Sequence, residues 1–194
     1  PDYYWKVIEG LAPEVVRGKI YTCWQMTDSI PDCARLVKFG LDWGWYPDPV
    51  AAISLYYFSG SYIVDEVIYG TNIDDEAVAS EIKKVKGYQD VTVICGADEP
   101  KSIEMLRKYR IRADKTVAGP GSVNYRIKAT SSKKIFVTRR SKNVWQGYEN
   151  YRWAEDRDGN PKPEPDQAFS DTMDAVSYAV SSLNPLQEYM NTSP

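Results

Sequence analysis

The sequence has 194 residues with a formal net charge of −3, and its 43% hydrophobic and 13% aromatic content can bury the core of one ordinary domain. It contains no histidine, which excludes a Ser-His or Cys-His nucleophile, a His-bearing zinc site and a histidine general base. No apolar run approaches membrane-spanning length, and the opening PDYYWKVIEG lacks the pattern of a secretory signal. We therefore expect a soluble protein without a membrane partner.

The cysteines are few and irregularly spaced. Cys23, Cys33 and Cys95 are odd in number and show no CxxC pair, which argues against a disulfide framework or a structural zinc site. A reducing cytosol is the expected compartment.

We predict that residues 1–36 form a lead-in segment and that this segment packs on a core domain formed by residues 37–194. Aromatic residues such as Tyr21 and Trp24 give this segment surface to bury. The chain begins at Pro1 without an initiator Met, which indicates a piece of a longer chain.

Apolar runs separated by turn residues predict a strand-rich first half. Ser59 and Gly60 separate two such runs, which predicts a hairpin, and Asn72, Asp74 or Asp75 can cap a helix. The run VTVIC is wholly apolar, which is typical of a buried central strand. The predicted elements are strands at 37–44, 50–58 and 61–69, a helix to about residue 85, and a strand at 91–98.

The second half alternates helices with short strands. Pro100 stands in the first turn of a predicted helix, and DRDGNPKPEPDQ is polar and Pro-rich, which predicts a loop or short hairpin. The other predicted elements are a weak strand at 113–117, helices at about 122–130 and 139–154, a strand at 134–138 and a closing helix at 170–183. This order predicts an α/β fold in which a mixed sheet carries helices on both faces.

Acidic residues stand where several of these elements end or begin. Asp42 ends the first strand and Asp98 ends the buried one. Asp171 and Asp174 are three residues apart at the start of the closing helix, so they share one helical face. Carboxylates suit hard cations such as Mg²⁺ or Mn²⁺. If these elements are adjacent, the acids can hold two ions about 3.5–4 Å apart, as phosphodiester cleavage requires.

Each acid also has a purely structural interpretation. Asp98 could cap the helix that follows it. Asp171 and Asp174 could complement the dipole of the closing helix. Asp42 could be a turn residue, although an Asp between Leu and Trp at the end of an apolar strand favours a functional role.

Charge is distributed unevenly along the chain. The segment 101–142 holds thirteen of the 24 Lys and Arg residues but only two acids, Glu104 and Asp114, so it carries +11 and the remainder carries −14. An acidic metal site beside a phosphate-binding surface would produce this asymmetry. A solvated basic face without a ligand is the alternative. The position of the segment between the second and third candidate metal ligands favours a polyanionic partner.

Four sequence motifs occur in the chain in the order GLDWGWYPDP, CGADEPKSIEMLRKYRI, NVWQGYENYRW and FSDTMDAVSYAV. Together they resemble the C-terminal nuclease domain of the large terminase subunit of tailed bacteriophages. The segments YYWKVIEG and GKIY resemble the linker that follows the packaging ATPase domain in that family. The resemblance implies an RNase H-like fold and an endonuclease that cuts concatemeric viral DNA at the start and end of head filling. It also implies that Asp42, Asp98 and Asp174 match the three metal-binding acids of the family.

Two positions depart from the family pattern. Asp171 stands where the family often has His, and Gly147 stands where many members carry Glu. We interpret Asp171 as an auxiliary metal ligand or as a residue that holds a metal-bound water. No GxxxxGK[ST] motif occurs in the sequence, so ATP-driven translocation is not expected within this chain.

The sequence therefore predicts a Mg²⁺- or Mn²⁺-dependent DNA endonuclease of low sequence specificity that uses two ions. Asp42 is expected to bridge the ions, and Asp98 and Asp174 are each expected to complete one site. The residues expected to bind phosphates are Lys133, Lys134, Arg139 and Arg140. The resemblance implies as partners double-stranded DNA, the ATPase domain of the same full-length chain, the portal and the small terminase subunit. The implied location is the cytoplasm of the infected bacterial host.

Two other functions remain open at this point. One is a structure-selective nuclease of the same fold, such as a Holliday-junction resolvase, which would be an obligate dimer with two sites. The other is a catalytically idle docking module of a packaging motor. In that case Tyr148, Tyr151 and Trp153 would serve as core or docking residues.

Overall fold

A seven-stranded mixed sheet forms the centre of the computed structural model, which describes residues 18–44 and 47–183. Across the sheet the strand order is β1-β7-β4-β3-β2-β5-β6. Strands β2, β3 and β4 are antiparallel neighbours, whereas every other pair is parallel. The strands are β1 (Gln25–Thr27), β2 (Arg35–Asp42), β3 (Val50–Phe58), β4 (Ser61–Gly70), β5 (Val93–Cys95), β6 (Ala113–Lys115) and β7 (Ile135–Thr138).

Within residues 18–44 and 47–183, five α-helices connect or cover these strands. They are α1 (Asp75–Lys84), α2 (Pro100–Lys108), α3 (Ser122–Ser131), α4 (Lys142–Asn150) and α5 (Ser170–Ser181). A 3-10 turn lies at Tyr88–Asp90, and a separate two-stranded hairpin is formed by β8 (Trp153–Glu155) and β9 (Pro161–Pro165). None of the helices in the described ranges is long and apolar enough to cross a membrane.

Each face of the sheet carries its own hydrophobic core. On one face, Val176 and Ala179 of α5 and Val144 of α4 pack against β3, β4 and β7. On the other, Ile82 of α1 and Leu106 of α2 pack against β2 and β5. The sheet is thus buried on both sides, which confirms the predicted mixed α/β fold with helices on both faces.

The central hairpin forms because its strands are apolar and its turn is short. The first six residues of β3 are all buried. Ser59 and Gly60 both have positive φ, 47° and 76°, as the favoured two-residue hairpin turns require. The predicted hairpin is therefore confirmed.

Two local predictions differ from the structure. No strand was expected at Gln25–Thr27, yet β1 pairs with β7 at the edge of the sheet. The helix predicted at 139–154 is shorter in the structure, because α4 ends at Asn150 and Trp153–Glu155 forms β8. Strand β8 pairs with the Pro-rich segment, Trp153 beside Pro165 and Glu155 beside Pro161, and this pairing overrides the local helical pattern.

The lead-in boundary that we predicted at residue 37 falls inside β2 (Arg35–Asp42). Upstream of it, Tyr21 and Trp24 are 2% and 4% exposed and belong to the core. The two rings stack with centroids 5.0 Å apart, and Trp24 also stacks on Tyr148. The described part of the lead-in is therefore packed within the same body as the sheet.

Candidate active site

Strand β2 ends at Asp42, so this residue lies where the carboxyl end of the strand leaves the sheet. We call this end of the strands the acid-bearing edge of the sheet. Strand β5 runs parallel to β2, with Leu41 beside Cys95, so the chain that follows β5 leaves the sheet at the same edge. Asp98 lies in that connection, immediately before Glu99, the residue that precedes helix α2. Parallel strands therefore bring two of the predicted acids to one edge.

Helix α5 lies directly over this part of the sheet. A Cβ atom on Gly40 would come within 1.8 Å of the Ala175 carbonyl oxygen, so the absence of a side chain at Gly40 lets the helix backbone touch β2. This close approach carries Asp174, the residue before Ala175, toward Asp42.

All four predicted acids line a single cavity of about 390 Å³. Asp42 comes from β2, Asp98 from the connection after β5, and the other two from the first turns of α5. Further residues complete the wall, among them Asp48, Glu99, Gln167, Ser170 and Tyr178. The sheet edge and one helix thus gather acids that are up to 132 residues apart in the sequence.

Burial and mutual repulsion disfavour the charged forms of the inner acids. Burial, followed by the charge of Asp174, raises the pKa of Asp42 to about 8. Burial also raises the pKa of Asp174 to about 6, although the charge of Arg126 opposes this rise. The pKa of Asp171 is raised mainly by burial, with a smaller contribution from Asp48. Positive charge placed in the cavity would favour the ionised forms of these acids.

Two protein groups partly offset the negative charge. The Tyr178 hydroxyl donates a hydrogen bond of 3.2 Å to Asp42 Oδ1. Arg126 of α3 is buried, and its Nη2 lies 3.8 Å from Asp174 Oδ1. One cation and one hydroxyl donor therefore face the two innermost carboxylates.

The acids share the cavity without forming a ready-made ligand cluster. Asp98 is exposed at the mouth, whereas Asp42 and Asp174 are partly enclosed. Within residues 18–44 and 47–183, no three acidic side chains lie close enough together to hold a metal ion as they stand. Repulsion between carboxylates opposes closer convergence until positive charge is present.

The donor set of the cavity still suits a hard divalent cation. Its acidic walls offer carboxylate oxygens, and the chain has no histidine to favour softer metals. Burial is the main cause of the raised pKa of both Asp42 and Asp174, and a cation bound between them would favour their charged forms. The residues present therefore fit Mg²⁺ or Mn²⁺.

The sequence arguments missed three groups at this site. Tyr178 could have been found, because it lies seven residues after Asp171 on the same helical face. Asp48, between two prolines, offered no periodic signal. Arg126 looked like one more member of the basic segment, and only the packing of α3 beside α5 turns it toward the acids.

The four predicted phosphate-binding residues fall at opposite ends of β7. Lys133 and Lys134 precede β7, at the end of the strands where Tyr62 pairs with Ile135. Measured along the strands, this end lies about 20 Å from the end that carries the acids. Arg139 and Arg140 follow β7 toward the acid-bearing edge, where they form ion pairs. Their partners are Asp28 and the buried Asp65. The structure thus separates the four into two pairs.

Gly147 has a packing explanation. A Cβ atom there would lie 2.3 Å from Thr172 Oγ1 and 3.1 Å from Met173 Cε. A Glu at this position would therefore require the side chains of Thr172 and Met173 on α5 to move.

Comparison with known proteins finds a similarity to a phage terminase. No protein-family model matches it. It is 28% identical over 167 residues to the large terminase subunit of Bacillus phage SPP1, a match that covers 80% of this chain. The chain spans 39% of the length of that relative.

Solved structures agree with this sequence match. The nuclease domain of the SPP1 large terminase, crystallised with bound Mn, has a TM-score of 0.72 at 24% identity, covering 82% of this chain and 96% of that domain. The large terminase nuclease of thermophilic phage G20c with bound magnesium has a TM-score of 0.62 at 13% identity, covering 85% and 94%. These likenesses show an RNase H-like fold of the terminase nuclease type.

Proposed function

We propose that this chain, a homologue of the SPP1 large terminase subunit with the fold of terminase nuclease domains, is a divalent-metal-dependent DNA endonuclease domain. Its proposed role is to cut concatemeric viral DNA during genome packaging. The observation that carries the proposal is the single cavity that all four predicted acids line.

The acids take different roles in this proposal. Asp42 and Asp174, the two inner carboxylates, are the principal metal ligands, with Asp42 shared between two ions. Asp98 completes one ion site from the exposed mouth of the cavity, and Asp171 is an auxiliary ligand. Ligands drawn from a strand end, a connection and a helix can close around cations without unfolding any element.

The class of cation follows from the oxygen donors of the cavity. The bound Mn and magnesium in the SPP1 and G20c nuclease structures support the same class for this chain. Two such ions, when bound, supply activation of a water and stabilisation of the leaving oxygen in phosphodiester hydrolysis. The carboxylates of the chain would bind these ions and balance their positive charge.

DNA binding is proposed to depend on charge and not on base recognition. Lys133, Lys134, Arg139 and Arg140 belong to the basic segment, and phosphate contacts by such residues carry no sequence information. The two pairs lie at opposite ends of β7, about 20 Å apart at the rise of an extended strand, so they would contact different phosphates of a duplex.

The wider assembly is also a proposal. Because the chain spans 39% of the SPP1 large terminase subunit, we infer that an ATPase domain belongs to the same full-length protein. Portal and small terminase subunit are the proposed partners in the packaging motor, within the cytoplasm of the infected host. A structure of the large terminase from another thermophilic bacteriophage in complex with ADP, of which this chain covers 45%, supports a nucleotide-binding part outside the matched region.

A plasmid-nicking assay tests the function directly. The chain should convert supercoiled plasmid to nicked and linear forms in Mn²⁺ or Mg²⁺ and should stop in EDTA, with Mn²⁺ the better ion because it tolerates imperfect geometry. Asp42→Asn, purified identically, is the control for a contaminating nuclease. Undiminished cutting in EDTA, or equal cutting by Asp42→Asn, would contradict the proposal.

A further inference from the structure

Two residues outside the predicted set connect the inner acids of the cavity. Tyr178 lies four residues after Asp174 on α5, and its hydroxyl donates to Asp42 Oδ1 at 3.2 Å. Arg126 lies on α3, with Nη2 3.8 Å from Asp174 Oδ1. The guanidinium carbon of Arg126 also lies 4.9 Å from the centroid of the Tyr178 ring. The four side chains therefore form a continuous chain of contacts from Asp42 to Asp174.

Two hydrogen bonds hold the guanidinium group of Arg126 in place. It is 7% exposed, and its Nη1 donates to the Val117 carbonyl and to the Ser122 hydroxyl, both at 3.3 Å. A buried guanidinium is costly unless its charge and donors are matched. These two bonds fix one side of the group and leave Nη2 as the side nearest Asp174.

The contact between Arg126 and Asp174 is longer than a hydrogen bond. Bidentate Arg–carboxylate pairs have N–O distances of about 2.7–2.9 Å and occupy both carboxylate oxygens. At 3.8 Å, Arg126 supplies countercharge without occupying the oxygens of Asp174 in this way. The Tyr178 hydroxyl, by contrast, donates a hydrogen bond to Oδ1 of Asp42, which restricts the rotation of that carboxylate and leaves Oδ2 without a bond from Tyr178.

We propose that Arg126 and Tyr178 are positioning residues that orient the carboxylates of Asp174 and Asp42 toward the cavity, from which they converge on a divalent cation. This inference rests on the proposed function, in which those two acids are metal ligands. Removing a group that orients a metal ligand typically lowers metal affinity or activity by about 10–100-fold. A role in packing alone predicts lost stability without a selective loss of affinity.

The test measures binding of Mn²⁺ alone to the full 194-residue chain, by electron paramagnetic resonance of the free ion, with thermal unfolding of the same samples. Tyr178→Phe keeps the ring that packs under Arg126 and removes only the hydroxyl. Arg126→Lys keeps the charge and removes the planar fork. Tyr57→Phe is the matched control, because its hydroxyl accepts a bond from the Gly60 amide at the opposite edge of the sheet.

The expected result is a loss of Mn²⁺ affinity of about 10-fold or more in Tyr178→Phe, with a Tm within about 2–4 °C of wild type. Arg126→Lys should also lose affinity, and Tyr57→Phe should bind as wild type does. Wild-type affinity in both site variants, or losses of affinity and Tm that run in parallel, would overturn the positioning role alone. Absence of Mn²⁺ binding by the wild type would instead overturn the proposed function, and this inference with it.

Discussion

Asp42 is a carboxylate that the fold buries among other acids. Burial is the main reason that its pKa rises to about 8, with the charge of Asp174 adding to the shift. The hydrogen bond from Tyr178 opposes the rise without cancelling it. In the absence of a cation, this residue therefore lowers the stability of the folded chain whenever it is ionised.

The pH dependence of stability follows from that shift. Because the folded pKa lies above the unfolded value of 3.8, the folded chain binds the proton more tightly, and ionisation destabilises it increasingly between about pH 4 and pH 8. Asp42→Asn removes this penalty. In EDTA, its stability gain over wild type should be at least about 1 kcal/mol larger at pH 8 than at pH 5, or about 2–4 °C in Tm.

Scanning calorimetry at the two pH values measures this difference. Asp98→Asn is the control, because Asp98 is exposed at the mouth of the cavity, and its effect should stay within about 0.5 kcal/mol. An equal gain at both pH values, or a loss of stability at pH 8, would show that Asp42 is a structural residue.

Asp171 and Asp174 should differ in their effects on cleavage. Asp171→Asn should raise the Mn²⁺ concentration needed for half-maximal plasmid cleavage yet leave turnover at saturating metal, because Asp42, Asp98 and Asp174 remain. Asp174→Asn should abolish cleavage at every concentration of metal. Metal titrations of the two variants provide the measurement, and interchangeable effects would refute the assigned roles.

At the scale of elements, the position of α5 decides whether the site exists. The helix rests on β2 at Gly40, where a Cβ atom would lie 1.8 Å from a backbone carbonyl oxygen. Backbone cannot move aside as a flexible side chain can. A methyl group at this position must therefore push Asp174 away from Asp42.

Gly40→Ala should destabilise the chain by about 3 kcal/mol or more and should abolish cleavage. The matched control is Gly96→Ala, near the same acids, where the nearest atom to a new Cβ is Asp42 Oδ1 at 3.4 Å, an ordinary contact. This control should fold normally. Chemical denaturation of both variants compares them, and equal stability would show that α5 can shift without cost.

Local sequence signals predicted the elements that local chemistry determines. The Ser59-Gly60 turn and helix α1, capped by a bond from the Ala77 amide to Asp74, both follow from residues within one turn. Strand β1 has three residues and pairs with β7 more than one hundred positions later, so no local pattern could reveal it. Arg126 was missed at the site for the same reason, since its role depends on α3 packing beside α5.

For the molecule as a whole, charge separation distinguishes two regions. The acids gather at the carboxyl edge of β2 and β5, and the segment 101–142 carries a net +11. This charge distribution is what we expect of a chain that binds a polyanion through the basic segment and cations through the acids, as proposed above. Lys133 and Lys134 test this arrangement without breaking the ion pairs of Arg139 and Arg140.

Reversing both Lys133 and Lys134 to Glu should weaken DNA binding equally for unrelated sequences and should lower the slope of log Kd against log salt by about 2. The control is reversal of Lys83 and Lys84, which makes the same charge change at the end of α1. Fluorescence anisotropy across a salt series provides the measurement. An unchanged slope would place the DNA path elsewhere.

The pairing of β1 with β7 also constrains how the protein is made. Gln25 lies beside Phe136, so a ribosome must add about 110 further residues before the first strand meets its neighbour, roughly 5–20 s at ordinary synthesis rates. Until then Tyr21 and Trp24 have no aromatic partner from α4 to stack on. The segment that carries Tyr21 and Trp24 therefore waits for its partners, and the sheet closes late, as the slow folding of non-local parallel pairs requires.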